Sequence, residues 1–176
     1  PAKGSRVKPE VIAPGTHVQS TASTASGYDG TGVCDQYRPT NQTIFAASSG
    51  TSHSTPAVAG MSSLVYYWLQ TQYADAAPSA AMIKAYFMAH PTYLTGVGAN
   101  TNLPSNAQGY GMPNLGAAFD ATMKRYVFDQ GQIFTASGQT WTWSGTVADT
   151  TKPLRVAMTY SDAPGATSGN PQVNNL

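Results

Sequence analysis

The sequence predicts an α/β fold that passes into antiparallel β-structure near its end, and three observations support this. Residues 51–72 and 79–89 place apolar side chains at helical spacing. Short apolar, β-branched runs at 7–12 and 43–46 are bounded by proline, glycine or polar turn residues, which is typical of strands or extended segments. After Arg125 the period of the pattern becomes two, which indicates β-strands.

The composition describes a chain that folds and carries little charge. Of its 176 residues, 41% are hydrophobic and 10% are charged, and the net charge is +1. The basic residues are scattered, so we expect no nucleic-acid partner. No apolar run reaches the length of a membrane span, so we expect no membrane partner either. The low charge and the many Ser, Thr, Gly and Asn residues favour secretion.

The segment between the first two predicted strands is polar. Residues 19–42 are rich in Ser, Thr, Gly and Asn, which predicts a long surface loop. Cys34 in this loop is the single cysteine, either an idle or buried thiol or half of a disulfide to a partner outside the sequence. Asp29 and Asp35 could hold a cation, although the favoured interpretation is that they are solvated loop residues.

The long helix is predicted to begin near Thr51, with Ser52 in its first turn. The first N–H groups of a helix have no internal partner and carry the positive end of the helix dipole. A serine held there could attack a carbonyl while these donors stabilise the oxyanion. Pro56 cannot donate to the Ser52 carbonyl, which loosens the entrance of the helix. The apolar run after Ser52 predicts a buried helix, in which a larger side chain at Gly60 would crowd a neighbouring element.

None of the three histidines has the spacing of a catalytic base. His53 follows Ser52 directly, and adjacent helical residues point roughly 100° apart, although a role on the leaving-group side of a cleft stays open. His17 is interpreted as a loop histidine. His90 is expected at a helix end, where a positive charge suits the dipole.

The second half of the chain begins with another helix. Ser79 is a suitable N-cap, Ala89 is the expected last residue, and Pro91 stops the helix. Residues 95–113 are predicted to be a loop, followed by a last helix over about 114–123.

The end of the chain alternates in hydrophobicity. Residues 139–145 and 154–160 have a period of two, with aromatic and β-branched residues, which indicates antiparallel strands. Asp149 and Asp162 flank these strands and are candidate calcium ligands, although turn capping is the favoured interpretation.

Four segments resemble one known family. Residues 50–60, Gly-Thr-Ser-His-Ser-Thr-Pro-Ala-Val-Ala-Gly, are similar to the active-site serine signature of the subtilisin-like serine proteases, or subtilases. Residues 6–16 resemble the Lys-Pro-Asp/Glu and Ala-Pro-Gly run that precedes this signature. Residues 110–115 resemble the turn that leads to the last helix of the catalytic domain. Residues 126–176 are similar to the β-sandwich module of some secreted bacterial subtilases, although the run 173–176, Val-Asn-Asn-Leu, has Asn where relatives often have Asp.

The resemblance implies a fold and a domain organisation. Residues 1–125 would form the C-terminal part of a subtilisin-like peptidase domain, which has three layers around a parallel sheet. Residues 126–176 would begin an antiparallel, jelly-roll-like β-sandwich. Because the family orders its triad Asp, His, Ser along the chain, the histidine, the aspartate and the oxyanion asparagine are expected in sequence that precedes this chain.

The resemblance also implies the site and its chemistry. Ser52 would be the nucleophile and a backbone oxyanion donor of a serine endopeptidase, with Gly50, Thr51 and His53 binding substrate. We expect no metal at the catalytic centre and no cofactor for the chemistry, while a structural calcium ion is compatible with the family. The partners would be a polypeptide substrate and the N-terminal remainder of the same protease, without which this chain is an incomplete, inactive part.

Two alternatives remain at this point. The chain could be a non-catalytic fragment or a relative without a triad that acts as a binding or structural module, with Trp141 and Trp143 as its working surface. It could also be a nicked product that is still paired with its N-terminal half.

Overall fold

A computed structural model describes residues 7–30, 36–100, 102–169 and 173. The chain divides into two compact units, one of Ile12–Met61 and the other of Pro1–Val11 with Ser62–Leu176. The combination of helices and short strands is compatible with the α/β class. Every strand pair in the described ranges is antiparallel, so the parallel sheet stays a prediction. In the same ranges no helix is long and apolar enough to cross a membrane.

The unit Ile12–Met61 contains a small antiparallel sheet. Its strands are β1 (Val18–Thr21), β2 (Gln36–Tyr37) and β3 (Phe45–Ser48), in the order β1-β3-β2. The predicted strand at 43–46 is therefore present, two residues further along the chain. The prediction of one loop over 19–42 is wrong at residues 19–21 and 36–37, which belong to strands. Strand β1 has the sequence Val-Gln-Ser-Thr, in which only the first residue is apolar, and all four residues are exposed. The sequence therefore has no alternation in hydrophobicity that could reveal this strand.

Residues 7–11 do not form a β-strand and are held in place by other hydrogen bonds. The backbone N–H of Tyr110 donates to the carbonyl of Glu10 at 2.8 Å, and the Glu10 carboxylate accepts hydrogen bonds from Lys8 and Lys84. Burial would raise the pKa of Glu10, but the two lysines outweigh it and lower that pKa to about 2. The alternative prediction, an extended segment, therefore describes these residues better than a strand.

Helix α1 (Thr51–Gln72) has the predicted bounds and contains Pro56. The prediction that it is buried is wrong for most of its length. Only Val65 and Leu69 are buried, whereas Leu64 and Tyr67 are 53% and 67% exposed. A Cβ added at Gly60 would have no atom within 4 Å. Local sequence signals can form a helix, but its burial needs neighbouring elements, and none in the described residues covers this side.

Helix α2 (Ala80–Ala89) confirms the second helix prediction. The Ser79 hydroxyl accepts a hydrogen bond from the Met82 N–H at 3.0 Å, as an N-cap should. Ala85, Tyr86 and Phe87 are buried. The helix ends at His90, immediately before Pro91.

Helix α3 (Leu115–Ala118) is shorter than the predicted 114–123. Asn114 caps its start by accepting from the Ala117 N–H at 3.0 Å. The Asp120 carboxylate accepts from the Thr122 N–H at 2.9 Å. Such a local turn competes with the continuation of a helix. Strands β4 (Pro91–Thr92) and β5 (Met112–Pro113) pair and place the start of α3 beside the end of α2.

The loop between β4 and β5 is organised by one buried amide. Gln108 is 1% exposed. Its side chain accepts from the Leu94 N–H at 2.8 Å and donates to the carbonyls of Leu94 and Ala99 at 2.9 and 2.6 Å. A buried amide that is fully paired fixes the path of an otherwise irregular loop.

Within the described part of 126–169 there is no helix and no strand, including the two segments predicted to be strands. Aromatic contacts nevertheless join two pieces of this segment, residues 126–128 and 141–143. The ring of Tyr126 lies 4.6 Å from that of Trp143, and Phe128 lies 5.1 Å from Trp141. Tyr126 contacts Trp143, whereas Phe128, two residues later, contacts Trp141, two residues earlier. The two pieces therefore run antiparallel at these contacts. The β-sandwich itself stays a prediction.

Candidate functional site

Ser52 is the second residue of α1 and is exposed. Its hydroxyl makes no hydrogen bond with any residue that the structure describes. The first turn is closed by the His53 N–H, which donates to the Gly50 carbonyl at 3.1 Å. Ser52 therefore lies at the electropositive end of a long helix with its side chain accessible, which is the arrangement that a nucleophile and its oxyanion need.

The start of α1 is held by the segment that contains Gly15. The Gly50 N–H donates to the Gly15 carbonyl at 2.7 Å, and the His17 N–H donates to the Ser49 hydroxyl at 2.8 Å. A Cβ at Gly15 would lie 2.6 Å from the Gly50 carbonyl oxygen and closer still to the Ser54 hydroxyl. Only glycine fits there, so the two sequence motifs are parts of one local structure.

A cavity of about 250 Å³ lies in the same unit. It is lined by residues of β1 and β3, by Ser23, by Tyr28 and by His53. The structure thus places the predicted residues Gly50, Thr51, Ser52 and His53 together at the start of α1, and His53 alone among them lines the cavity. Sequence analysis missed the contributions of Gly15 and Tyr28. The close approach at Gly15 is the reason for the glycine in the Ala-Pro-Gly run.

No imidazole is hydrogen-bonded to Ser52 among the described residues. His17 is exposed and has a positive φ of 51°. His90 is buried in the other unit, where its Nδ1 lies 2.8 Å from the Tyr86 carbonyl and its Nε2 accepts from Arg125 Nε at 2.9 Å. Burial lowers the pKa of His90. The neutral ring with a proton on Nδ1 satisfies both contacts, so the expectation of a positive charge at this helix end is wrong.

The candidate cation ligands do not converge. Over the described ranges, no group of three or more His, Cys, Asp or Glu side chains could hold a metal ion. Asp149 instead accepts from the N–H and the hydroxyl of Thr151, which lower its pKa, and Asp162 accepts from the Ala163 N–H at 2.9 Å. Cys34 and Asp35 fall outside the described residues, so the calcium ion stays a prediction.

Comparison with known proteins identifies the family. A search of curated proteins gives no match. The model of the subtilase family, Peptidase_S8, matches residues 1–111. This match covers more than half of the chain and includes both the Gly15 segment and the start of α1. The chain therefore belongs to the subtilase family of serine peptidases.

Proposed function

We propose that this chain carries the nucleophile of a subtilisin-like serine endopeptidase, and that the nucleophile is Ser52. The observation that carries the proposal is the exposed serine at the N-terminus of α1, within the serine motif of a family of peptidases. A polypeptide substrate follows from the same family membership.

The proposed reaction is acyl transfer. The Ser52 hydroxyl attacks the peptide carbonyl, while a histidine and an aspartate from preceding sequence accept and stabilise its proton. The backbone N–H of Ser52 donates to the oxyanion, where the helix dipole favours negative charge. The amine leaves with a proton from the histidine, and water then hydrolyses the acyl-enzyme. Gly50, Thr51 and His53 are proposed to contact the substrate, because they surround Ser52 at the start of α1.

We further propose that the N-terminal remainder of the protease covers the exposed side of α1. Gly60, Leu64 and Tyr67 follow helical spacing and therefore share one side of the helix. The open space at Gly60 and the exposure of Leu64 and Tyr67 support this proposal. Gly60→Leu should then leave the melting temperature of the 176-residue chain unchanged or raise it, but should lower the activity of the full-length protein. Equal activity in the full-length protein would contradict the proposed cover.

The remaining proposals follow from the family alone. The full-length enzyme is proposed to be secreted and to need no cofactor for its chemistry. A structural calcium ion is compatible with this proposal. Residues 1–125 are proposed to belong to the peptidase domain, and residues 126–176 to begin a β-sandwich.

The test of the catalytic proposal is Ser52→Ala in the full-length protein. We expect turnover to fall by about 10⁶-fold, which is the loss known for subtilisin, itself a member of this family. A serine-directed phosphonate should label the wild-type protein on Ser52 and leave the variant unlabelled. Thr55→Ala, at an exposed position three residues after Ser52, is the matched control and should keep both properties. Unchanged proteolysis by Ser52→Ala would refute the assignment.

The second candidate is a non-catalytic binding module. The half-exposed aromatic cluster of Tyr126, Phe128, Trp141 and Trp143 favours it. The phosphonate experiment separates the two candidates, because a binding module would show neither labelling nor proteolysis dependent on Ser52.

A further inference from the structure

Two carboxyl groups meet where the turn after α1 approaches the segment that follows Arg125. Asp75 belongs to the turn, and its carboxyl lies within hydrogen-bonding reach of the Asp129 carboxyl. The Asp75 Oδ1 accepts from the Ala77 N–H at 3.3 Å. Its Oδ2 is buried and has no donor among the residues that the structure describes. A buried carboxylate oxygen without a donor is unfavourable unless the group carries a proton.

Asp129 is held in place by the residue that caps α2. Its Oδ2 accepts from the Ser79 N–H at 2.5 Å, and its Oδ1 accepts from the Ser79 hydroxyl at 2.7 Å. Both oxygens of Asp129 therefore act as acceptors. Two ionised carboxylates cannot hydrogen-bond to each other, because neither has a proton to donate. A proton on the Asp75 carboxyl would give the pair the donor that it lacks.

No cation in the described residues compensates the pair. Asp75 is the only residue of the segment 62–83 with a charge at neutral pH, and the charged group that acts on it is Asp129. The phenol of Tyr73, at the end of α1, interacts with Tyr86. The cations of the neighbouring elements have other partners: Lys84 contacts Glu10, Arg125 donates to His90 and to backbone carbonyls, and Lys124 lies over the ring of Tyr126.

We propose that Asp75 and Asp129 share one proton and form a pH-sensitive latch between the turn after α1 and the segment after Arg125. With the proton present, the Asp75 carboxyl donates to Asp129 and joins the two segments. Without it, two negative charges repel each other at the same place. Burial raises the pKa of Asp75, the Ala77 N–H opposes this effect, and the charge of Asp129 adds to it. The latch therefore closes on acidification.

The latch lies beside a longer contact between α2 and the chain after Arg125. The Thr159 hydroxyl donates to the Ala81 carbonyl near the start of α2. Arg155 Nη1 donates to the Ala89 carbonyl at its end, at 3.4 Å. Residues 155–159 therefore run along α2 in the opposite direction. Because the latch lies at the start of the same helix, its opening should weaken this attachment at one end.

The latch should change stability with a sign that is opposite to that of an ion-paired carboxylate. The folded pKa of Asp75 lies above the ordinary value of 3.8. Its contribution is therefore fully present below pH 3.8 and is lost as the pH rises through the folded pKa. Asp75→Asn supplies a permanent donor to Asp129. Its urea midpoint in the 176-residue chain should exceed that of the wild type at pH 8, and the two should converge towards pH 4.

The matched control for this substitution is Asp149→Asn. The Asp149 carboxylate is exposed and accepts from the N–H and the hydroxyl of Thr151. Removing its charge relieves no carboxylate pair, so the urea midpoint at pH 8 should not rise above that of the wild type. A midpoint of Asp75→Asn at pH 8 that is no higher than that of the wild type would overturn the latch.

Carbon-13 NMR of the aspartate-labelled chain follows each carboxyl group directly. Asp75 should titrate above pH 3.8 in the wild type and closer to 3.8 in Asp129→Asn. Asp149 should titrate below 3.8 in both proteins. Titration of Asp75 at or below 3.8 in the wild type would contradict the shared proton, as would a midpoint that Asp129→Asn leaves unchanged. None of these measurements depends on Ser52 or on peptidase activity.

Discussion

Helices α1 and α2 arise from similar local signals but differ in their surroundings. Both are rich in apolar residues and both begin and end close to where the sequence predicts. Helix α2 has three buried residues in ten, and its two ends are tied to other parts of the chain by side-chain hydrogen bonds. Helix α1 has two buried residues in 22, and Leu64 and Tyr67 are exposed on it. The comparison teaches that apolar periodicity specifies a helix, whereas its burial depends on the elements around it.

The largest effect on the free energy of unfolding is expected from a substitution within α1. Leu69 is fully buried, whereas Leu64 in the same helix is 53% exposed. Leu69→Ala leaves a cavity and should lower the free energy of unfolding of the 176-residue chain by about 2–5 kcal/mol. Leu64→Ala, the matched control, should change it by no more than about 0.5 kcal/mol. Urea denaturation measures both, and equal losses would show that the two sides of α1 do not differ in burial.

The next largest effect on stability is expected at the end of α2, where Arg125 links His90 to the residues of and after α3. Its guanidinium donates to His90 Nε2 at 2.9 Å and to the Asp120 carbonyl at 2.6 Å, and it also contacts the Ala117 carbonyl. Arg125→Met keeps an apolar stem but leaves these acceptors unpaired, which should cost about 1–3 kcal/mol. Lys124→Met is the control, since Lys124 is exposed, and should have little effect. A melting temperature of Arg125→Met equal to that of the wild type would disprove this anchor.

The hydrogen bonds of Ser79 at the start of α2 should contribute less to the free energy of unfolding. Ser79 caps the helix through the Met82 N–H, and its own hydroxyl donates to Asp129 at 2.7 Å. Ser79→Ala removes both bonds and should destabilise the chain by about 1 kcal/mol. Ser79→Thr retains the hydroxyl and should recover most of this loss. If the two variants had the same denaturation midpoint, the cap would not contribute to stability.

The smallest effect should appear as a dependence on pH. Burial, together with the nearby charges of Arg125 and Arg155, lowers the pKa of His90 below its ordinary value of 6.5. The unfolded chain therefore binds a proton in a pH range where the folded chain does not. The contribution of His90 is fully present above pH 6.5 and is lost as the pH falls from there towards the folded pKa.

The measurement is the urea midpoint between pH 8 and pH 5 for the wild type and for His90→Gln. The difference between the two curves isolates His90 from the carboxylates, which titrate at lower pH. We expect the wild type to lose more stability than the variant on acidification. Parallel curves would mean that His90 is not the titrating group.

The sequence predicted α1 and α2 well because their limits depend on local residues. Ser79 and Pro91 mark the two ends of α2, and the small residues before Ser52 mark the start of α1. Strand β1 and its pairing with β3 were missed because β1 is short and has only one apolar residue, Val18, so that backbone hydrogen bonds rather than an apolar pattern define the pair. The predicted length of α3 failed because Asp120 forms a local turn.

The candidate site was predicted from a motif and only partly from geometry. The motif identifies Ser52, but the cavity depends on the register of β1 and β3, which no local pattern reports. Whether a helix such as α1 is buried, and whether alternating segments such as 139–145 and 154–160 pair as strands, depends on the elements around them and not on their own residues alone. These features are therefore the least accessible to sequence analysis.

The glycine at position 15 matters for residues far along the chain, because a side chain there would meet residues 50 and 54. A methyl group at this position would press on the Gly50 carbonyl and the Ser54 hydroxyl, which belong to residues on either side of Ser52. On the proposal that Ser52 is the nucleophile, Gly15→Ala should therefore lower activity as an active-site mutation does, although residue 15 lies outside the serine motif.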